Sequence, residues 1–309
     1  MSIETTPNSS MKIRSSFLTF SPPNITEEEI AAVVDTLRSD WITTGPKTKQ
    51  FEEQFSQYVG AESALALNSC TAGLHVALKT LNIGPGDEVI TTPMTFCSSV
   101  NVIEHVGATS VLADVDPETL TLDPARVAEA ITPRTKAIIP VHFAGHAAEM
   151  DGIMALAREH NLAVIEDAAH AVPAAYKGRK IGTIGDFTAF SFYATKNLTT
   201  AEGGMLTGSA ESMTRARMLS LHGMSRDAWK RYSAEGSWFY EVVAPGFKYN
   251  MTDIQAALGM VQLRRLEEMQ QRRRAVAAQY SAAFSQMPEL QVPAEREYVE
   301  HAWHLYVLR

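Results

Sequence analysis

The 309-residue chain reads as an α/β protein: a mostly parallel central sheet flanked by helices, with a smaller C-terminal α/β unit. Three observations predict this. Short apolar runs of strand length recur at Ala64–Leu67, Glu88–Thr91, Ser110–Val115, Ala137–Val141, Leu162–Glu166 and Phe187–Phe192. Helical patterns separate several of them, as at Thr71–Leu81, Pro124–Ala130 and Asp151–His160. A composition of 45% hydrophobic and 20% charged residues supplies apolar surface for one large core, with or without a second small one.

Each element has a local reason. Residues 1–10 lack the basic and then apolar layout of a secretory signal and read as a loose tail. Thr26 and Glu29 have capping-box spacing and open a helix whose Ile30, Val33, Val34 and Leu37 form an apolar stripe. WITTGP ends in a Gly-Pro break, and a second helix follows around Phe51–Tyr58. The strand–helix alternation then runs to Gly208 and loosens. Met224–Phe239, rich in Trp, Tyr, Arg and Gly, reads as a loop that covers something. Thr252 and Gln255 form a second capping-box pair before a helical pattern that reaches Met287. HAWHLYVLR reads as a strand, so a further C-terminal piece is expected beyond Arg309. The expected division is a large domain over 12–265, then a bridging helix and the start of a small domain over 266–309.

Composition excludes several classes of function. A net charge of −8 argues against nucleic acid as the main partner. Arg264–Arg265 and Arg272–Arg274 share their helical stretch with Glu267 and Glu268 and read as a solvated face. Cys70 and Cys97 have neither metal-ligand spacing nor a disulfide framework, which suits a reducing cytoplasm. No apolar run approaches membrane-spanning length.

The chemistry is carried by a few positions. Lys196 follows a strand-like run in AFSFYATKNLTTAEGG, at the kind of sheet edge where α/β proteins place ligands. Burial there lowers a lysine's pKa and makes it a nucleophile toward carbonyls, although most lysines are simply solvated. LAVIEDAAHA places Glu166 and Asp167 at the end of a buried strand. Asp167 suits the ring nitrogen of a pyridine cofactor, or else a helix cap. Asn68-Ser69-Cys70-Thr71 leads from a strand into a helix, forming either a phosphate site or an ordinary N-cap. Asn250, in GFKYNMTDIQAALG, also precedes a helix and reads equally as a cap. Phe96, in TTPMTFCSS, can stack on a flat ring or belong to the core.

Taken in order, the segments FLTFSPP, WITTGP, NSCTAGLHVAL, GDEVITTP, IPVHFAG, VIEDAAHA, SFYATKNL, GFKYNMTDI and HAWHLYVLR resemble the fold-type I pyridoxal-phosphate enzymes of the DegT/StrS sugar aminotransferase type, over nearly the whole chain. The resemblance implies that Lys196 bonds the aldehyde of pyridoxal 5′-phosphate and that Asp167 pairs with the pyridinium nitrogen. It places His170 near the phenolic oxygen, Phe96 on the ring face, and Ser191 with the Cys70–Thr71 backbone on the phosphate. Asn250 matches a residue that reaches the phosphate from the other subunit of a homodimer. The implied reaction takes an amino group from L-glutamate to a nucleotide-linked 4-keto sugar in cytoplasmic glycan or lipopolysaccharide biosynthesis.

Within the family, the resemblance is greatest to enzymes that convert a UDP-4-keto-pentose to UDP-4-amino-4-deoxy-L-arabinose. The alternatives are another UDP- or dTDP-linked 4-keto-6-deoxyhexose, or a non-catalytic sensor of the same fold. Tyr193 stands where the arabinose enzymes carry His, and Cys70 where relatives usually carry Gly or Ala. A dehydratase of the same family has histidine at the lysine position, which Lys196 argues against. No glycine-rich dinucleotide fingerprint follows the early strands, which argues against a nicotinamide enzyme.

Overall fold

The computed structural model describes residues 15–224 and 241–309. The tail read over 1–10, and all but Met224 of the covering loop read over Met224–Phe239, lie outside the described residues. In chain order the elements are α1 (Glu27–Arg38), α2 (Pro46–Val59), β1 (Ser63–Leu67), α3 (Cys70–Thr80), β2 (Glu88–Thr91), α4 (Ser98–His105), β3 (Thr109–Leu112), α5 (Pro124–Ala130), β4 (Thr135–Ile138) and α6 (Met150–His160). They continue with β5 (Ala163–Asp167), β6 (Ala175–Tyr176), β7 (Arg179–Lys180), β8 (Phe187–Ser191), β9 (Gly204–Gly208), α7 (Ala210–Ser220), α8 (Asp253–Phe284) and β10 (Val299–Glu300).

Seven strands form the central sheet in the order β1-β9-β8-β5-β4-β2-β3. β9 pairs antiparallel with both β1 and β8, while the pairs β8/β5, β5/β4, β4/β2 and β2/β3 are parallel. β9 is therefore the one reversed strand of this sheet, and the sheet is mostly parallel as expected. The expected run Ala137–Val141 ends early as a strand at Ile138. Pro140 has no N–H to give the ladder, and only an isolated bridge from Val141 to Asp167 continues the pairing. A small antiparallel sheet, β10-β6-β7, lies apart from the large one.

Alternation along the strands sorts their side chains between two layers. Phe187 and Ala189 of β8 face the layer of α3, α4 and α7, whereas Phe190 packs with Phe51 and Phe55 of α2 and with Phe192 beyond the strand end. These four phenylalanines meet at ring separations of 5.0 to 6.3 Å. Each contributes roughly 1.5–3 kcal/mol by leaving water. Both capping boxes form: Thr26 with Glu29, and Thr252 with Gln255. No helix among the described residues is long and apolar enough to cross a membrane.

Two expectations change. α1 turns Glu29 and Thr36 inward toward α8, where Glu29 meets Arg265 and Gln262, while Ile30 and Leu37 of the apolar stripe stay exposed. HAWHLYVLR is not a strand. Its backbone bonds go to a turn and to the segment after α8 instead of to a ladder: Ala302 N–H donates to Gly145 O, His304 and Leu305 N–H to Ala144 O, and Arg309 N–H to Gln291 O. Trp303 adopts φ +50°, which breaks any extended run.

Candidate active site

The site assembles where β5, β8 and the start of α3 converge. In β5, Val164 and Glu166 face one layer while Ile165 and Asp167 face the other, so the two adjacent carboxylates have opposite fates. Glu166 turns into the core. It accepts from His142 Nε2 at 2.9 Å, Thr188 Oγ1 at 2.7 Å and Gly185 N–H at 2.8 Å. His142 Nδ1 accepts from Ala148 N–H, so its proton sits on Nε2 and the ring is a neutral donor to the carboxylate. Burial pushes the Glu166 pKa up, but these donors outweigh it and hold the carboxyl below its usual value. Glu166 is structural.

Asp167 turns toward α3. Its Oδ2 accepts from Ser99 Oγ at 2.6 Å, its Oδ1 accepts from Ala169 N–H at 3.1 Å, and Cys70 Sγ lies 3.9 Å from Oδ1. The neighbour in the Ala169 contact is a turn amide with no helix behind it, so Asp167 is not a helix cap. Burial beside Asp167 pushes the Cys70 thiol well up, which keeps it a neutral thiol. The amide at Cys70 and that at Thr71 lie in the first turn of α3, where a helix offers no intrahelical acceptor. Ser69 is the N-cap, accepting from Ala72 N–H at 3.1 Å, and this cap leaves the Cys70 and Thr71 amides at the helix start.

Ser191 ends β8 on the face of Ala189 and pairs in register with Gly204 of β9. A Cβ on Gly204 would fall 2.5 Å from Ser69 C and 2.6 Å from Cys70 N, so β9 backbone lies directly against the start of α3. Ser191 is thereby brought beside the α3 amides. Phe96 is 75% exposed, which removes it from the core and leaves its ring free to cover a flat ligand. Its carbonyl accepts from Ser99 N–H at 3.2 Å, which ties it to the serine that holds Asp167. Asn250 does not cap α8, since Thr252 does. Its Nδ2 donates to Thr44 Oγ1 at 2.5 Å, and its backbone bridges to Leu67 at the end of β1. Tyr193 is exposed at the mouth of the lysine loop.

Lys196 sits in the turn between β8 and β9, five residues beyond Ser191, its N–H bonded to Tyr193 O at 2.9 Å. Burial lowers its pKa, and the charges of Cys70 and Asp167 oppose this. Because Cys70 remains a thiol, Asp167 is the effective opposing charge. His170 Nδ1 accepts from Ala144 N–H at 3.2 Å, so its proton is on Nε2 and it presents a donor. Burial, with the Lys196 charge second, holds its pKa down to about 3, and the ring is neutral. An amine, a buried carboxylate, a neutral N–H donor and a helix start with a hydroxyl form a donor set that fits pyridoxal phosphate, group for group.

Two residues of this site were not singled out from the sequence. Ser99 lies three residues after Phe96 in TTPMTFCSS, and its signal is the one-turn spacing that puts it under the aromatic. His304 was read as part of a strand. It packs against His170 with the ring centroids 4.4 Å apart and the planes tilted by 33°. Gly145, with φ +102°, lets this segment dock, because a Cβ there would meet Ala302, Trp303 N and His170 O at 3.0 to 3.1 Å.

A model of the DegT/DnrJ/EryC1/StrS aminotransferase family matches residues 23–309. The spore coat polysaccharide biosynthesis protein SpsC of Bacillus subtilis is 57% identical over 297 residues, spanning 96% of this chain and 76% of that protein. Spr1654 of Streptococcus pneumoniae, assigned as a sugar aminotransferase and solved in PMP and PLP forms, is 43% identical in its PMP form. It superposes with a TM-score of 0.89 over 95% of this chain and 79% of its own. PseC of Helicobacter pylori, an aminotransferase involved in the biosynthesis of pseudoaminic acid, is 29% identical with a TM-score of 0.86, covering 94% of this chain and 76% of its own. The chain thus belongs to the DegT/DnrJ/EryC1/StrS family, whose members are pyridoxal-phosphate-dependent sugar aminotransferases of fold type I.

Proposed function

We propose that the protein transfers the amino group of L-glutamate to a nucleotide-linked 4-keto sugar. The observation that carries this reading is the convergence of Lys196, Asp167 and the start of α3 on one cleft at the C-terminal edge of the parallel strands. Bound pyridoxal phosphate supplies an aldehyde that exchanges amino groups and a ring that takes up electrons.

This chain's residues supply the rest. Asp167, anchored by Ser99 and the Ala169 amide, would pair with the cofactor's ring nitrogen and favour its protonated form. His170 donates from Nε2 to the phenolic oxygen. Ser191 and the amides at Cys70 and Thr71 hold the phosphate, and Phe96 covers the ring and excludes water. Lys196, its basicity reduced by burial, would bond the aldehyde. When displaced, its Nζ moves a proton between the donor carbon and the cofactor carbon.

The first candidate acceptor is a UDP-4-keto-pentose, giving UDP-4-amino-4-deoxy-L-arabinose. Tyr193, a phenol where the arabinose enzymes carry imidazole, favours the second candidate, a UDP- or dTDP-4-keto-6-deoxyhexose. The likeness to SpsC and PseC supports a place in cytoplasmic glycan synthesis. We also propose a homodimer in which Asn250 completes the partner's phosphate site. The test is a panel of 4-keto nucleotide sugars with L-glutamate as donor, read by mass spectrometry. An amino sugar from one of them is expected; the reading is abandoned if none is formed while the protein is yellow and borohydride labels Lys196.

A further inference from the structure

His304 lies beside Lys196, held to its chain neighbour Asn197, and the reaction as described does not use it. Its tautomer can be read from its neighbours. Asn197 Nδ2 donates to Ala302 O at 2.8 Å, so Asn197 Oδ1 is an acceptor. That oxygen lies 3.1 Å from His304 Nδ1, which must therefore carry the proton. Nε2 is left as a bare lone pair. His170, packed against it, has the opposite arrangement, with Nδ1 bare and Nε2 protonated. Two adjacent imidazoles thus offer the cleft one acceptor and one donor.

His304 is held in place independently of any ligand. Its N–H donates to Ala144 O at 3.0 Å, and Asn197, the residue next to Lys196, grips both Ala302 and the His304 ring. Burial first, then the neighbouring His170 ring and the charges on Lys196 and Arg273, press its pKa down to about 2, so it accepts hydrogen bonds without taking the proton. Of the groups beside it, His170 presents a donor at Nε2–H, and Lys196 is the residue already assigned to the aldehyde and to proton transfer. Asp167 lies lower, its oxygens already bonded to Ser99 and the Ala169 amide. The amine at the reacting carbon carries N–H and needs a lone pair.

We infer that His304 is a further active-site residue, whose Nε2 accepts a hydrogen bond from the ammonium of the incoming amino donor and orients it toward the site of exchange. This rests on the aminotransferase reading with L-glutamate as donor. No bond is made or broken at His304; it orients the nitrogen and leaves proton transfer to Lys196.

Two measurements test it. Long-range proton–nitrogen NMR of the cofactor-free full chain labelled with 15N-histidine should find His304 protonated at Nδ1 only and His170 at Nε2 only, assigned through His304→Gln and His170→Gln. A His304 protonated at Nε2 overturns the inference. In the second, loaded enzyme is mixed with L-glutamate and the visible absorbance is followed through one turnover. His304→Phe, which keeps the packed ring and loses the lone pair, should raise half-saturating L-glutamate by about tenfold or more, the loss of one hydrogen bond to a charged group. His304→Gln, which restores an acceptor oxygen, should recover most of it. Wild-type enzyme that ignores L-glutamate overturns the donor reading and the inference with it. A reactive wild type whose His304→Phe variant has unchanged half-saturation overturns the inference alone.

Discussion

Ser99 Oγ donates to Asp167 Oδ2 at 2.6 Å from a fully buried position, and the carboxylate's orientation under the ring depends on that contact. A hydrogen bond to a charged group contributes about 1.5–3 kcal/mol. Ser99→Ala is therefore expected to weaken cofactor retention by roughly ten- to a hundredfold on that basis. Ser99→Thr, which keeps the hydroxyl, should restore most of it. Dialysis against buffer, followed by absorbance of the retained cofactor, measures both; an alanine variant that retains cofactor like the wild type would show that the Ala169 amide and the strand alone aim Asp167. Lys196→Ala should lose borohydride labelling and essentially all turnover, whereas a dehydratase working without the lysine would keep turning over. At this scale the sequence was most legible where a residue type has few bland uses. A lysine or aspartate at a buried strand end is costly unless it is employed, so Lys196 and Asp167 stood out. Ser99 and His304 are ordinary residues whose roles arise from what lies beside them across 68 residues of chain in one case and 107 in the other.

Helix and strand ends carry the next level of the design. The start of α3, proposed above as the phosphate site, has β9 backbone pressed against it at Gly204. Gly204→Ala should force that start aside, since the added carbon would overlap Ser69 C and Cys70 N. The expected outcome is a folded protein that needs far more pyridoxal phosphate for half-saturation, measured by fluorescence titration, while Gly178→Ala at the open β6–β7 turn costs only backbone strain and leaves titration unchanged. The α1–α8 contact is a second such joint. Burial would raise the Glu29 pKa, but Thr26, Arg265 and Gln262 outweigh it and hold it at about 2 in place of 4.5. A carboxyl depressed by folding stabilises fully above its unfolded value and loses that contribution as pH falls through its folded value. The stability gap between wild type and Glu29→Gln should thus be widest, about 1–3 kcal/mol, above pH 4.5 and shrink as pH falls toward about 2, as urea melts across that window will show. Both capping boxes were legible because their spacing is local. β9 was not: GMLTG is short and flanked by glycines, and its strand character comes from being sandwiched between β1 and β8.

Exposure over the whole molecule points to a second copy of the chain. Phe17 and Phe20 are 89% and 78% exposed, and Ile25, Ile30, Leu37 and Ile42 of the following segment are exposed as well. Seen in sequence alone, the α1 stripe reads as core-facing, since periodicity shows that a face is apolar but not what covers it. A face of this size is expected to seek a partner. Sedimentation should give twice the chain mass, and Ile30→Glu combined with Leu37→Glu should give a monomer that folds but binds cofactor poorly. Shared sites make a sharper prediction. In a two-fold dimer where Asn250 serves the other chain's phosphate, the variants Lys196→Ala and Asn250→Ala are each inactive or nearly so alone. Unfolded together and refolded as a mixture, half of the dimers are hybrids, and each hybrid holds one intact site. Activity should then return to about a quarter of the wild-type level by that symmetry. If Asn250 acts within its own chain, every site in the mixture lacks one of the two groups, and no activity returns.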